Sequence, residues 1–233
     1  INDSIVIVGN SNRNSITPVN VVRGTAGAEI PVGVFPQAIV VSGDTAFVLN
    51  AELGPDFKPA RPGTVTVLAG PTLQRIRTID LAGHNPSAAT IGRDGLLYIL
   101  NAGSFGSASG SLSVVNRATL AEVRHDTGFG EFPGAIAATL DNRIWVAAFD
   151  YGVAVWDPGT RAFLRSPTNA VEPGGIAGAS GIGVDAAGRV YTLKPDCRAP
   201  STALRLGTNL VAELEIATGI CPVAIAFTRL ESR

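Results

Sequence analysis

The chain has 233 residues, of which 16% are charged, and a formal net charge of -1. So sparse and balanced a charge gives no electrostatic footprint for nucleic acid or for an anionic membrane surface. No apolar run in the sequence approaches the roughly 18 to 20 residues that cross a bilayer. A single domain of this length buries about 70% of its unfolded surface, which supports a core without metal or disulfide staples. Cys197 and Cys221, the only cysteines, are too few for a zinc site of four ligands, which leaves a disulfide or two free thiols. The sequence begins at Ile1 and holds no Met, as expected of a trimmed or mature product. Many Gly, Ser, Thr and Ala together with a pair of cysteines suit an envelope or secreted β protein.

In chain order, residues 4–8, 17–22 and 28–32 are β-rich runs separated by turn residues. Next comes Phe35-Pro36-Gln37-Ala38-Ile39-Val40, followed by a Gly43-Asp44 turn and β-rich runs at 45–50, 64–68 and 75–79. The pattern restarts at Asn85-Pro86-Ser87-Ala88-Ala89-Thr90, with an Asp94-Gly95 turn and runs at 96–101, 111–115 and 121–124. It restarts at Phe132-Pro133-Gly134-Ala135-Ile136-Ala137, with an Asp141-Asn142 turn and runs at 143–148 and 153–156. A weaker copy, Gly178-Ala179-Ser180-Gly181-Ile182-Gly183, precedes an Ala187-Gly188 turn and runs at 189–194 and 210–216. The last copy, Cys221-Pro222-Val223-Ala224-Ile225-Ala226, opens a lone run at 222–228.

Self-similarity at about 47 residues with four short strands per period predicts an all-β fold, a five-bladed β-propeller of four-stranded antiparallel blades. The blades span residues 35–84, 85–131, 132–177 and 178–220, with a fifth made of 221–233 plus 1–34. On this reading the 222–228 run is the inner strand of the blade that the N-terminal runs leave unfinished. The last blade is thus closed by N- and C-terminal strands in one domain, and closure protects strand edges.

These repeats resemble the YVTN family of β-propeller repeats, found mainly in bacterial and archaeal surface and envelope-associated proteins. Gly63-Thr64-Val65-Thr66-Val67 corresponds to the family's G-x-V-x-V unit. The stretch from Ile30 through Gly33 and Pro36 to Ile39 corresponds to its I-x-V-G-x-x-P-x-x-I passage, and Tyr98-Ile99-Leu100-Asn101 to its Y-V-x-N strand. The final Asn recurs as Asn10 and Asn50, whereas Ala148 and Lys194 occupy the corresponding later positions. The resemblance implies the fold far more than a function.

The inner-strand columns read Ala38, Ala88, Ala135, Gly181 and Ala224, then Ile39, Ala89, Ile136, Ile182 and Ile225. They contain no acid or His for the channel of a propeller enzyme, and small residues suit a crowded axis. His84 falls in a crossing between repeats and His125 on an outer strand, without ligand-like spacing. Glu52, Asp150 and Asp196 each follow a second strand and are candidate Ca²⁺ ligands, or caps of their turns. Long insertions at 51–63 and 102–110 and a long crossing at 166–178 share one face by strand parity. On that face Phe57, Arg61, Phe105 and Tyr151 are the candidate binding residues, of types that dominate interface hot spots. The same parity puts Cys197 and Cys221 on that face, where a disulfide would tie the closing strand to the preceding blade.

The expectation from these observations is a non-catalytic, extracytoplasmic propeller without a cofactor, acting as a protein-binding scaffold or accessory subunit of an envelope or surface assembly. An enzyme of the lactonase or streptogramin-lyase kind and a glycan-binding lectin are the alternatives. Trp145 and Trp156 fall in one repeat, unlike the aromatic site per blade of a sugar-binding propeller.

Overall fold

The structure, a computed structural model, describes residues 4–70, 72–175, 177–207 and 209–227. Strands that lie between neighbours on both sides read as continuous apolar runs, and strands at an outer edge mix charge with single apolar residues. Both patterns are realised here. In the second sheet β6 (Thr45–Asn50) and β7 (Thr64–Ala69) are almost wholly buried. They lie between β5 (Pro36–Ser42) and an exposed outer strand, β8 (Arg75–Asp80).

The third sheet repeats the order with β9 (Pro86–Ile91), β10 (Leu97–Asn101), β11 (Ser111–Asn116) and β12 (Ala121–Thr127). The fourth has β13 (Ala135–Ala138), β14 (Ile144–Ala148), β15 (Gly152–Asp157) and β16 (Ala162–Arg165). The fifth has β17 (Gly181–Val184), β18 (Val190–Leu193), β19 (Pro200–Leu206) and β20 (Ala212–Ile220). The described residues thus form five four-stranded antiparallel sheets, and the first differs from the rest.

In the first sheet β1 (Ile5–Asn10) pairs with β2 (Ser15–Asn20), and two short pieces, β3 (Thr25–Ala26) and β4 (Ile30–Pro31), both pair with β2. The outer strand is therefore broken in two, and the run expected at 28–32 supplies only its second piece, Ile30–Pro31, with Thr25–Ala26 lying before it. Pro18 in β2 has no N–H for the ladder, and the Gly27 N–H donates to its carbonyl at the break.

The inner strand expected at 222–228 is not formed. Residues 222–227 carry no strand, Thr228 lies outside the described residues, and the first sheet draws its strands from residues 5–31 alone. The C-terminal segment instead makes its contacts against β17. A Cβ at Gly183 would meet Phe227 at 2.9 Å and Ile225 at 3.3 Å, and the Tyr191 and Phe227 rings lie 5.2 Å apart. The small residues of β17 make room for that passing chain.

Two compact units divide the chain: residues 1–90 with 95–131, holding the first three sheets, and 91–94 with 132–233, holding the last two. In the first unit Ile16, Ala46, Val48 and Leu68 form a fully buried cluster on which Ile7, Ile30, Val32 and Ile39 pack. In the second, Ala137, Trp145, Val153, Val155, Ile182, Val190 and Leu206 join the facing sides of the fourth and fifth sheets. Each such aliphatic side chain contributes about 1.5 to 3 kcal/mol by leaving water.

Backbone geometry repeats as faithfully as the strands do. The turns between first and second strands are held by left-handed Gly43, Gly95, Asn142 and Gly188, the positions that the turn chemistry marks. The residues just before Pro36, Pro86, Pro133 and Pro222, namely Phe35, Asn85, Phe132 and Cys221, all have positive φ between 41° and 56°. A residue before proline ordinarily adopts an extended conformation, so these four conformations are imposed by the surrounding fold.

Three of the sheets share a polar device at the end of the second strand, part-buried in the first sheet and buried in the second and third. The Asn10 amide donates to Ser15 Oγ at 3.1 Å and Thr17 Oγ1 at 2.8 Å. Asn50 donates to Thr64 Oγ1 and Thr66 Oγ1, both at 3.0 Å, and Asn101 to Ser111 Oγ at 3.2 Å and Ser113 Oγ at 2.9 Å. In the second and third sheets a glycine three residues before the repeat's proline makes space for the amide: a Cβ on Gly33 would lie 2.6 Å from Asn50, and one on Gly83 2.1 Å from Asn101. Gly83→Ala is therefore expected to lower stability by about 1 to 3 kcal/mol, as forced overpacking does, measured by urea unfolding. An unchanged midpoint would show that the amide can move aside.

Candidate functional site

The loop at 51–63 is a compact structure built on a buried carboxylate. Glu52 is 2% exposed and accepts from Arg61 Nη2 at 2.7 Å, Arg61 Nε at 3.0 Å and Thr64 Oγ1 at 2.7 Å. The hydrogen bonds that Arg61 donates to Glu52, and then the Glu52 charge, hold the Arg61 guanidinium pKa above its ordinary value. Further up, the Gly54 N–H donates to the Lys58 carbonyl and the Phe57 N–H to the Gly54 carbonyl, and Leu53 and Pro59 form a bridge. Phe57 stands at the tip, 66% exposed, with its ring edge-on to Phe35 at 5.8 Å between centroids.

The loop at 102–110 carries a second exposed aromatic, Phe105, at 85%. Left-handed Gly103 and Gly106 shape the turn, Ser104 N donates to Ser109 Oγ at 3.0 Å, and Gly106 N to Glu131 Oε1 at 2.8 Å. Both loops belong to the first unit and join the second and third strands of their sheets. Each presents a phenylalanine on a backbone fixed by its own hydrogen bonds.

The other sequence candidates take different places. Tyr151 is only 9% exposed and packs with Ala148, Ala154, Phe163 and Ala170, so it is a core residue rather than a surface anchor. Burial, with the charge of Asp150 as a lesser cause, pushes its hydroxyl pKa well up. Arg61 braces its own loop through Glu52. Asp196 accepts the N–H groups of Arg198 at 2.8 Å and Ala199 at 3.1 Å, which hold its carboxyl below the ordinary value. Asp150 is exposed. Of the three calcium candidates, Glu52 thus has its oxygens taken up by side-chain donors and Asp196 closes a turn. Glu52 lies in the first unit and the two aspartates in the second. His84 is exposed in the crossing before β9 and His125 is half-buried on β12, so the two share no element.

Cys197 and Cys221 are joined in a disulfide with Cα atoms 4.1 Å apart. It ties the loop between β18 and β19 to the residue after β20, where the Cys221 N–H also donates to the Asp196 carbonyl at 2.7 Å.

The second unit holds a feature that the sequence reading does not single out, a cleft of about 580 Å³ between the hairpin ends of the fourth and fifth sheets. Leu140, Trp145, Val190 and Leu210 supply its apolar lining, and Arg143, Arg189 and Arg205 its positive charge. Arg143 and Arg189 start the second strands of consecutive repeats, which is the one sequence signal that could have drawn attention to it.

No family model matches the sequence, and no curated protein does. Solved structures do resemble the fold. One is Kuenenia stuttgartiensis hydrazine synthase, at TM-score 0.70 and 18% identity over 95% of this chain and 73% of that one. A chain of a mitotic checkpoint complex has TM-score 0.70 and 10% identity over 95% of this chain and 64% of that one. The WD40 β-propeller domain of Doa1 has TM-score 0.60 and 12% identity over 82% of this chain and 58% of that one. This chain thus spans less than two thirds of the last two. Likeness at such identities carries fold and not activity, and with the five four-stranded antiparallel sheets it makes this chain a protein of β-propeller architecture.

Proposed function

We propose that this chain is a non-catalytic propeller of the YVTN repeat type, a protein-binding scaffold or accessory subunit of an extracytoplasmic assembly, whether periplasmic, secreted or on the cell surface. The observation that carries the reading is the pair of exposed phenylalanines, Phe57 and Phe105, each held out on a loop whose backbone is already fixed. Exposed aromatics on rigid supports lose little entropy on binding and are the residues around which interfaces are built. The Cys197–Cys221 disulfide supports an oxidising compartment. The repeat type is supported by the work its motif residues do, since the amides of Asn50 and Asn101 fill the space left by Gly33 and Gly83. Against the lactonase-like alternative stand the structural engagements of Glu52 and Asp196.

Purification from the native source under mild conditions tests this reading. A stoichiometric partner is expected to co-elute. The Phe57→Asp/Phe105→Asp double variant should weaken that partner by roughly thirtyfold or more, the loss of at least one hot spot of about 2 kcal/mol. Its unfolding free energy in urea should stay within about 0.5 kcal/mol of the original, as for exposed sites. A partner that binds the double variant with unchanged affinity overturns the assignment of this surface.

A further inference from the structure

The first sheet stops where each of the others continues. β1 is hydrogen-bonded to β2 alone, whereas β6, β10, β14 and β18 each have an inner strand on their other side. Those four second strands are largely buried, but β1 leaves Val6 50% and Val8 44% exposed. β1 also lacks the usual protections of an edge. Its residues, Ile5 to Asn10, include no charge and no proline, and its ladder with β2 runs without a bulge. An edge of that kind is a template for a further strand.

The chain holds one segment that is written as an inner strand and not used as one. Cys221-Pro222-Val223-Ala224-Ile225-Ala226 repeats the motif that carries β5, β9, β13 and β17, yet residues 222–227 form no strand. The other copies fix how such a segment meets a second strand. In the second sheet Ala38, Ile39 and Val40 lie opposite Leu49, Val48 and Phe47, and the fourth and fifth sheets keep that register. Carried onto β1, it puts Ala224 opposite Gly9, Ile225 opposite Val8, Ala226 opposite Ile7 and Phe227 opposite Val6. The two exposed valines thus meet Ile225 and Phe227, apolar pairs on one face, and no charged residue enters the ladder.

What holds this segment in its own molecule decides where the occupant comes from. The Cys197–Cys221 disulfide fixes its start, Ser180 Oγ donates to the Pro222 carbonyl at 2.5 Å, and Ile225 and Phe227 lie against Gly183. Held in this way it forms no ladder, and Val223, Ala224 and Ala226 are exposed. A second copy carries the same two features, an open β1 and an unused inner-strand segment. A two-fold exchange satisfies both at once and closes on itself, which limits assembly to a dimer.

We propose that β1 takes residues 222–227 of a second copy as its inner strand, in this register, and that the exchange is reciprocal. The surface is distinct from the loops that carry Phe57 and Phe105, so either assignment can fail without the other.

Sedimentation equilibrium of the unmodified protein is expected to show monomer and dimer in exchange, with a Kd of roughly 10 to 100 μM, as suits an interface of small area. Val8→Lys on β1 and, separately, Ala226→Lys on the segment should each weaken the dimer by about tenfold or more. Both positions are exposed in the monomer, where folding tolerates them. Mixing Val8→Cys chains with Ile225→Cys chains under mild oxidation reads the register. Directly opposed Cβ atoms lie about 4.5 to 5.5 Å apart, close to disulfide reach, so a mixed cross-linked pair is expected. A protein that stays monomeric up to about 1 mM, ten times the weakest expected constant, overturns the proposal. So does a dimer that either lysine leaves intact, or one that yields no mixed cross-link. It is also overturned if the Val8→Cys/Ile225→Cys double variant cross-links within one chain at about 1 μM, well below the expected constant, because the chain then fills its own edge.

Discussion

Asn101→Ala is expected to destabilise the protein by about 2 to 3 kcal/mol, more than loss of one polar side chain would suggest. The Asn101 side chain is fully buried, and its amide serves Ser111 and Ser113 together. Removing the amide leaves two buried hydroxyls short of a partner, each at a cost of about 1 to 3 kcal/mol, and opens a small cavity. The net worth of the intact device is smaller than this loss, because Asn101 Oδ1 is itself without a partner among the described residues.

The fourth sheet shows how the device can be dispensed with. Ala148 stands where Asn would, and pairs with Gly152, with Ala154 two residues on, so the amide and both hydroxyls are absent together. The triple variant Asn101→Ala/Ser111→Ala/Ser113→Ala is therefore expected to be more stable than Asn101→Ala alone, by about 1 kcal/mol, in urea unfolding. Additivity of the three single losses would sink the idea, since groups acting as one unit show coupling and independent ones do not.

Replacing both Cys197 and Cys221 with serine is the second large effect. The cysteines are separated by 24 residues in sequence. Opening a loop of that length frees the unfolded chain by about 3 kcal/mol, a fall in melting temperature of roughly 6 to 12 °C for a protein of this size. The native loop keeps other ties, the Cys221 N–H to the Asp196 carbonyl and the Asp196 carboxylate on its own turn. The loss should therefore report mainly on the unfolded state, and reducing agent should bring the unmodified protein to the melting temperature of the variant. Equal melting temperatures with and without reductant, before any substitution, would mean that the bond contributes nothing to stability.

Much of the fold was legible because propeller-like repeats write the same instruction several times. The runs at 45–50, 96–101 and 143–148 reappear as β6, β10 and β14 with bounds shifted by a residue at most, since their continuous apolar character is what burial on both faces demands. The inner strand expected at 222–228 was read from its copy of the repeat motif, Cys221-Pro222-Val223-Ala224-Ile225-Ala226, and from repeat arithmetic. The contacts of Val223, Ile225 and Phe227 against Gly181 and Gly183 depend on packing that no local pattern encodes.

The loop aromatics divided for a similar reason. Phe57 and Phe105 are exposed on long insertions, but the insertion after β14 is short, and Tyr151 folds back over Ala148 and Ala154. Residue type marked all three as candidates, and only loop length and the small neighbours of Tyr151 distinguish them. Cys197 and Cys221 were placed on one face by strand parity, which is a property of topology and survives uncertainty over bounds. The cleft was invisible because its members, Arg143 and Trp145 at the start of β14 and Arg205 on β19, come from two different sheets.

The coupling of Asn101 to two hydroxyls has a bearing on how such repeats can drift apart. A chain that loses the amide first passes through a form with stranded hydroxyls, and one that loses a hydroxyl first wastes half of a buried donor pair, so the partial states are the least stable ones. Divergence at this position should then proceed as a jump between a complete polar set and a complete apolar set. The first three sheets hold the former and the fourth holds the latter. In the fifth, Lys194 lies 3.9 Å from Glu215, Leu204 has replaced one hydroxyl, and Thr202 Oγ1 is left buried without a partner among the described residues, a partial set that this sheet carries. Copies that look unrelated letter by letter at these sites can therefore be neighbours separated by a single concerted step.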